Sequence, residues 1–490
     1  MDWRLHGRLD ELVEDFRTQL HHQADQVTPS QGGVLLLELE RMFFRLLMAL
    51  GAALVVAFVE AFHRDEGFVR VCQKQARGKG LRNVGWRRTP LYALFGGRYM
   101  IQTPYAVVDR RGQPGRPRAR GHRGPTGTGS YPLLEALGCR ANATPALLSE
   151  VASQVAWGPS EDAARKRLSQ RGISLDNQTL RRFVRVLANE GQARREEAFL
   201  RGEAPPGLED LNLAGLRVVI TFDAGRLRTR VPHRGRRRKS GHHGFARPWR
   251  APRMLVIYTI DPQGRKHRHS FPLYDGVLTS AEQLFERLGH YLRILHAAEA
   301  QQLIFIADGA GEHWQGVAAL VEDLGLDPHK VVEVFDWAHA VEHLTTAAEA
   351  CPLWAQWTAP KRQRWLRKQR KRLKQGHLAA LLAALEQLGQ GQELPDLARE
   401  LAFFRKHAFR MRYRAFLQAG IPIGSGAVES ALRRVVNLRM KGPGSFWRPE
   451  NAQRMLYLRC QLLSGRWEAF LQTLLGQGTT HSEEVLAKAA

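Results

Sequence analysis

With 490 residues the chain exceeds what one ordinary core organises, so about two to four packed units are expected. Its 73 Lys and Arg against 47 Asp and Glu leave a formal charge of +26, which favours a polyanionic partner, nucleic acid ahead of an anionic membrane; a solvated basic surface is the plainer reading. Four scattered cysteines, Cys72, Cys139, Cys351 and Cys460, contain no C-x-x-C pair. That spacing excludes a disulfide framework and a zinc ribbon and points to a reducing, cytoplasmic setting.

Residues 1–85 carry apolar and charged positions at helical spacing, as in "GGVLLLELERMFFRLLMALG", and predict a helical N-terminal unit. The first residues hold early acids and no apolar signal core, so secretion is not expected. The longest uncharged apolar run, Leu46 to Val59, is 14 residues between Arg45 and Glu60, too short for a bilayer and read as a buried helix or a dimer contact. Residues 86–130 combine two short strands, at "LYALFGG" and "RYMIQTPYAVV", with a basic linker or DNA-contacting arm in which 110–123 holds six arginines and no acid.

Residues 131–205 are expected to be helical. Ser160 can cap one helix, Gly172 can end it, and Asp176 or Asn177 can cap a second that bears Arg181, Arg182 and Arg185. Two capped helices, the second basic, have the form of a helix-turn-helix, although any helical hairpin gives the same pattern. From residue 215 the period changes. "LRVVITFDA" is a strand ending at Asp223, and "RMLVIYTIDPQGRKHRHSFPLYDG" is a hairpin around a Pro-Gly turn. A helix at 279–300, a strand at 303–307, a helix at 315–324 and a strand at 330–336 follow. Three antiparallel strands, helix, strand, helix, strand is the order of an RNase H-like mixed sheet. Residues 213–339 therefore form the first part of that α/β core, 340–420 a large helical insertion, 421–475 the last part of the core, and 476–490 a tail.

In that order the first and fourth strands are neighbours, so Asp223 and Asp308 converge. Two adjacent carboxylates in a basic protein call for a cation between them, and oxygen donors suit Mg²⁺ or Mn²⁺. Two such ions are the usual means of phosphodiester chemistry. A third acid must come from Glu312, Glu333, Asp336, Glu342 or Glu429. Glu429 stands in the first turn of a helix after the Gly424–Ser425–Gly426 loop, whereas Glu312 suits a helix cap. Nucleotide binding by "DGAGEH" lacks both G-x-G-x-x-G and a following Lys-Ser or Lys-Thr.

The stretches "ITFDAGR", "IFIADGAGEHW", "FDWAHAVEHL" and "GSGAVESALRRVVNLRMKGPGSFW" together resemble bacterial insertion-sequence transposases of the ISKra type, relatives of Mutator-like elements, over residues 85–475. The resemblance implies a DDE triad of Asp223, Asp308 and Glu429 that cuts element ends and transfers strands to target DNA with two Mg²⁺ or Mn²⁺ ions. It also implies double-stranded DNA as partner, a homodimer or larger assembly, no membrane, and a bacterial cytoplasm. Asp336, His339 and His343 match a D-x-x-H element bordering the active site; structural hydrogen bonds or zinc are the other readings of that spacing. An RNase H-like nuclease or resolvase without strand transfer, and an inactive DNA-binding protein, are the alternative functions.

Cations near the acids are the expected DNA contacts. From Ala224 to Arg253 there are 11 Arg and Lys and no acid, among them Arg226, Arg228, Arg236, Arg237, Arg238 and Lys239. Arg433, Arg439 and Lys441 follow Glu429. "KRQRWLRKQRKRLK", 361–374, can line up phosphates along a helix, and Trp354, Trp357 and Trp365 suit base stacking or, more simply, a core.

Overall fold

The computed structural model describes residues 3–26, 35–109, 129–232, 244–267 and 272–476. It divides into two compact units, 1–191 with 471–490, and 192–470. The basic stretch 110–123 and the cations Arg236, Arg237, Arg238 and Lys239 lie outside the described residues.

The first unit opens with three helices, α1 (Trp3–Asp25), α2 (Leu35–Arg64) and α3 (Glu66–Gly78), the last capped by Asp65. The reading of Leu46–Val59 as a buried helix too short for a bilayer needs correction, while the other reading, a dimer contact, is not contradicted. Arg45 and Glu60 do not end the helix, and α2 contains an 18-residue window of mean hydropathy 2.3 of which only 17% is buried. By length and composition α2 could cross a bilayer; a covering protein surface would suit it equally. A strand pair follows, β1 (Leu81–Tyr92) and β2 (Arg98–Val108), antiparallel, with a third short strand β3 (Gly129–Ser130) on β2. β1 lies earlier than "LYALFGG". Its register shifts between Asn83 and Trp86, where Gly85 at φ 100° supplies the positive φ of a bulge.

Helices α4 (Glu161–Gln170) and α5 (Asn177–Arg201) start where their caps predict. Ser160 Oγ accepts from the Ala163 amide at 3.0 Å, Asp176 accepts from the Thr179 amide at 2.8 Å, and Gly172 takes φ 79° between them. At 25 residues α5 is long for a recognition helix, and it runs past the boundary between the units.

The second unit is built on a five-stranded mixed sheet. Its strands are β4 (Arg217–Ala224), β5 (Arg253–Ile260), β6 (Leu273–Val277), β7 (Gln302–Ala307) and β8 (Val331–Phe335), in the spatial order β6-β5-β4-β7-β8. β5 is antiparallel to β4 and β6, while β4, β7 and β8 run parallel. The parallel strands β4 and β7 read as unbroken apolar runs because both faces of the sheet are covered. Helix α6 (Ala281–Ile294) buries Leu284, Phe285, Leu288, Tyr291 and Leu292 at helical period, and α7 (Gly311–Asp323) connects β7 to β8.

The insertion is helical throughout. It comprises α8 (Trp337–Glu349), Pro352–Gln356, α9 (Ala359–Lys374), Leu378–Leu388, α10 (Pro395–Lys406) and Tyr413–Gln418. Trp354, Trp357 and Trp365 pack on one another with centroids 5.8 to 6.3 Å apart, Trp354 buried in the insertion and Trp357 and Trp365 half-buried beside it. The chain then returns through the short helix α11 (Gly426–Ala431), packed on β4 and β5, a π-helical turn at Leu432–Asn437, and α12 (Pro449–Leu463), packed on β6. All four cysteines are buried and free.

Candidate active site

Strand register places the acids. β4 and β7 pair with 302 against 217 and 306 against 221, an offset of 85 that, carried two residues on, sets Asp308 level with Asp223. β7 and β8 pair with 303 against 331 and 307 against 335, an offset of 28 that sets Asp336 level with Asp308. Three carboxylates thus line up at the carboxyl ends of three adjacent parallel strands, where an open α/β sheet leaves a crevice.

Their surroundings separate their roles. Asp223 is half-buried, and burial together with the Asp308 charge pushes its carboxyl above the ordinary range, against the pull of the Ala224 amide. Burial acts on Asp308 in the same direction. There the hydrogen bond and charge of His313, the Ala310 amide and nearby His339 outweigh it and hold the carboxyl low. His313 Nδ1 lies 2.7 Å from Asp308 Oδ1, its ring packed against Phe222 with centroids 5.0 Å apart. The Oδ2 atoms of Asp223 and Asp308 have no hydrogen-bond partner among the described residues.

Asp336 is fully engaged. Its side chain caps α8 through the His339 amide and accepts from His339 Nδ1 at 2.8 Å and from the Ser425 amide at 2.7 Å. The side-chain hydrogen bond raises the His339 pKa to about 9, so its imidazole carries a positive charge at neutral pH. Ser425 joins Asp336 to the fourth acid. While its amide binds Asp336, its Oγ donates to Glu429 Oε1 at 3.2 Å, and Glu429 itself stands exposed in the first turn of α11.

Several expectations are corrected here. Glu312 caps nothing; its carboxylate accepts from Arg253 at 2.6 Å. His343 faces the insertion, bonded to Glu400 at 2.7 Å and stacked on Phe403, so it shares no ligand set with Asp336 and His339. Apart from these corrections, no group of three or more His, Cys, Asp or Glu is drawn together as a metal cluster among the described residues. Arg439 is only 5% exposed, with its guanidinium over Trp447, so it belongs to the fold of the turn rather than to a cationic surface.

The other cations divide by accessibility. Arg226, Arg228, Arg433 and Lys441 are exposed, and Arg226, Arg228 and Lys441 line one recess. On α5, Arg181 is bound by Glu161 at 2.6 Å and Arg182 lies half-buried over Tyr92 and Phe183, which leaves Arg185 exposed. On α9, Arg364, Arg367, Lys368, Lys371 and Lys374 are exposed at spacings that share one helix face, with no acid in the helix and no ion pair among the described residues.

No family model matches the chain, and no curated protein matches it. The residues that spacing missed are His313 and Ser425. Each had a local signal: His313 follows Asp308 by five residues across the Gly-Ala-Gly loop, and Ser425 precedes Glu429 by four.

Asp223→Asn is expected to raise the thermal midpoint of the cation-free protein at neutral pH. A folded-state pKa above the unfolded one means that ionised Asp223 destabilises the fold once the pH rises through that value, and the amide removes this cost. A midpoint lower than that of the wild type would contradict the repulsion inferred between Asp223 and Asp308.

Proposed function

We propose that this chain is a DNA transposase with an RNase H-like catalytic core of the DDE class. The observation that carries this reading is the register that sets Asp223 and Asp308 level on adjacent parallel strands, in a sheet of spatial order third-second-first-fourth-fifth. A helical insertion and a Glu-bearing helix packed back on β4 and β5 complete the pattern.

Asp223, Asp308 and Glu429 are the residues that would hold a divalent cation. The donor chemistry fits, although the three acids are not drawn into one cluster without the ion: all are oxygens, the Asp308 charge disfavours ionised Asp223, and Oδ2 of Asp223 and of Asp308 accepts no hydrogen bond among the described residues. When bound, a pair of Mg²⁺ or Mn²⁺ ions polarises the phosphodiester and stabilises the leaving oxygen. His313 orients Asp308 and keeps it ionised. Ser425 ties Glu429 to Asp336, so the third acid is held to the end of β8. Protonated His339 at the rim offers a positive charge to a phosphate oxygen.

The substrate is double-stranded DNA of the element ends and of the target, handled by a homodimer or larger assembly in the bacterial cytoplasm. Incubation of a labelled duplex, carrying the DNA that flanks the coding sequence, with a target plasmid and Mg²⁺ tests the reading. Joined product supports transposition. Cutting without joining would favour a nuclease or resolvase, and binding without any reaction would favour an inactive DNA-binding protein.

The basic face of α9 is expected to lie along the phosphate backbone. Neutralising Arg364, Arg367, Lys368 and Lys371 as glutamines should reduce the slope of log K against log salt by about 3 to 4, at about 0.9 for each phosphate that the protein no longer neutralises. An unchanged slope in a salt titration would remove α9 from the interface.

A further inference from the structure

A recess of about 620 Å³ is lined by Arg226, Arg228, Trp249, Lys441, Gly442 and Pro443, together with two further residues that bring no acid. Its walls are built by the backbone. Leu227–Arg228 pairs with Trp249–Arg250, the Trp447 amide donates to the Arg228 carbonyl at 3.2 Å, and the Arg230 amide donates to the Trp447 carbonyl at 2.8 Å. Trp447 Nε1 in turn fixes the Met440 carbonyl at 3.0 Å. Both walls continue from the acids, since Arg226 follows Asp223 by three residues and Lys441 follows Glu429 by twelve.

The lining chemistry is selective. Trp249 is 50% exposed, with the Arg226 and Arg228 guanidiniums 5.3 and 5.0 Å from its ring centroid. None of the three cations has an acidic partner among the described residues. A phosphate suits the cations, and an aromatic platform suits a nucleobase only when that base has left its own stack. The volume falls in the range of small-ligand sites, fit for a single nucleotide rather than a stretch of duplex.

We propose that this recess binds one unstacked nucleotide of the DNA strand next to the cut, its base on Trp249 and its phosphate among Arg226, Arg228 and Lys441. The inference deepens the DNA-processing reading and rests on it for the origin of the strand. Pre-built walls make the recess a fixed receptor for an opened base. The adjoining phosphodiester is thereby held in register with Asp223 and Glu429.

Binding without divalent cation tests this separately from catalysis. The probes are a 2-aminopurine single-stranded oligonucleotide and a fully paired duplex, titrated into the full-length wild type, Trp249→Ala and Trp249→Phe. Wild type should quench the 2-aminopurine. Trp249→Ala should weaken single-strand binding by roughly tenfold or more while duplex affinity stays within about twofold, and Trp249→Phe should keep most of the preference. Retained duplex affinity also reports that the variant is folded. Equal weakening on both probes, equal weakening in Trp249→Phe and Trp249→Ala, or no change on either probe would overturn the proposal. A protein that passes this test but joins no DNA would overturn the transposase reading and leave the recess standing.

Discussion

Asp308→Asn is expected to lower DNA cleavage by about 10³-fold or more, with little change in fold. The substitution keeps an oxygen that can accept from His313 and the Ala310 amide, so the loop after β7 retains its hydrogen bonds. What disappears is the negative charge that the proposed cation site needs, on a carboxyl that its surroundings hold below the ordinary range. Loss of about 4 kcal/mol of transition-state stabilisation corresponds to three decades in rate. Cleavage within about tenfold of wild type, in Mg²⁺ and with an unchanged thermal midpoint, would show that Asp308 does no chemistry.

The largest effect on stability is expected at Asp275, far from the reaction in role. Asp275 on β6 is 1% exposed and Arg195 on α5 is 2% exposed. Arg195 Nη1 bonds both carboxylate oxygens at 2.9 and 3.1 Å, Tyr291 donates at 2.8 Å, and the Gly276 amide at 2.7 Å. Asp275→Ala would leave a buried guanidinium with Glu196 as its one acidic partner among the described residues and a buried hydroxyl without its acceptor, at a cost of about 3–5 kcal/mol. The double variant Arg195→Met with Asp275→Leu should cost much less, since no charge is then stranded. Urea denaturation reads both, and a loss under about 1 kcal/mol for Asp275→Ala would refute the account of this network. The pH dependence has a definite sign. Burial raises the Asp275 pKa, but Arg195 and Arg287 outweigh it and hold it below the unfolded value of about 3.9. Its contribution is therefore present above that range and is lost as the pH falls through the folded-state pKa.

Much of the second unit is readable from spacing. The apolar runs ending at Asp223 and Asp308 are strands because both faces of the sheet are covered, and that same continuity marks them in the sequence. Ser160 and Asp176 cap helices because their side chains compete for backbone donors locally, so neighbouring residues suffice to find them.

What spacing hides depends on distant partners. Asp336 aligns with the other acids only through an inter-strand offset that no local window contains. Arg439 resembles a surface cation beside Lys441, but Trp447, eight residues on, folds back over it. Asp275 has the appearance of a turn acid in "PLYDG", whereas its partner Arg195 is 80 residues away. The start of β1 is hidden because its first eight residues are exposed or half-exposed, which leaves no alternation for a period-two pattern to reveal. Composition alone makes Leu46–Val59 look buried, although burial depends on what covers a helix, and among the described residues little covers α2.

In the proposed site Glu429, rather than another acid near the sheet ends, joins Asp223 and Asp308. Strand transfer of the labelled end duplex in Mg²⁺, run side by side for wild type, Glu429→Gln and Glu312→Gln, tests it most directly. Joined product is expected from wild type and Glu312→Gln, with a loss of about 10²-fold or more for Glu429→Gln. Equal joining by Glu429→Gln and wild type would contradict it.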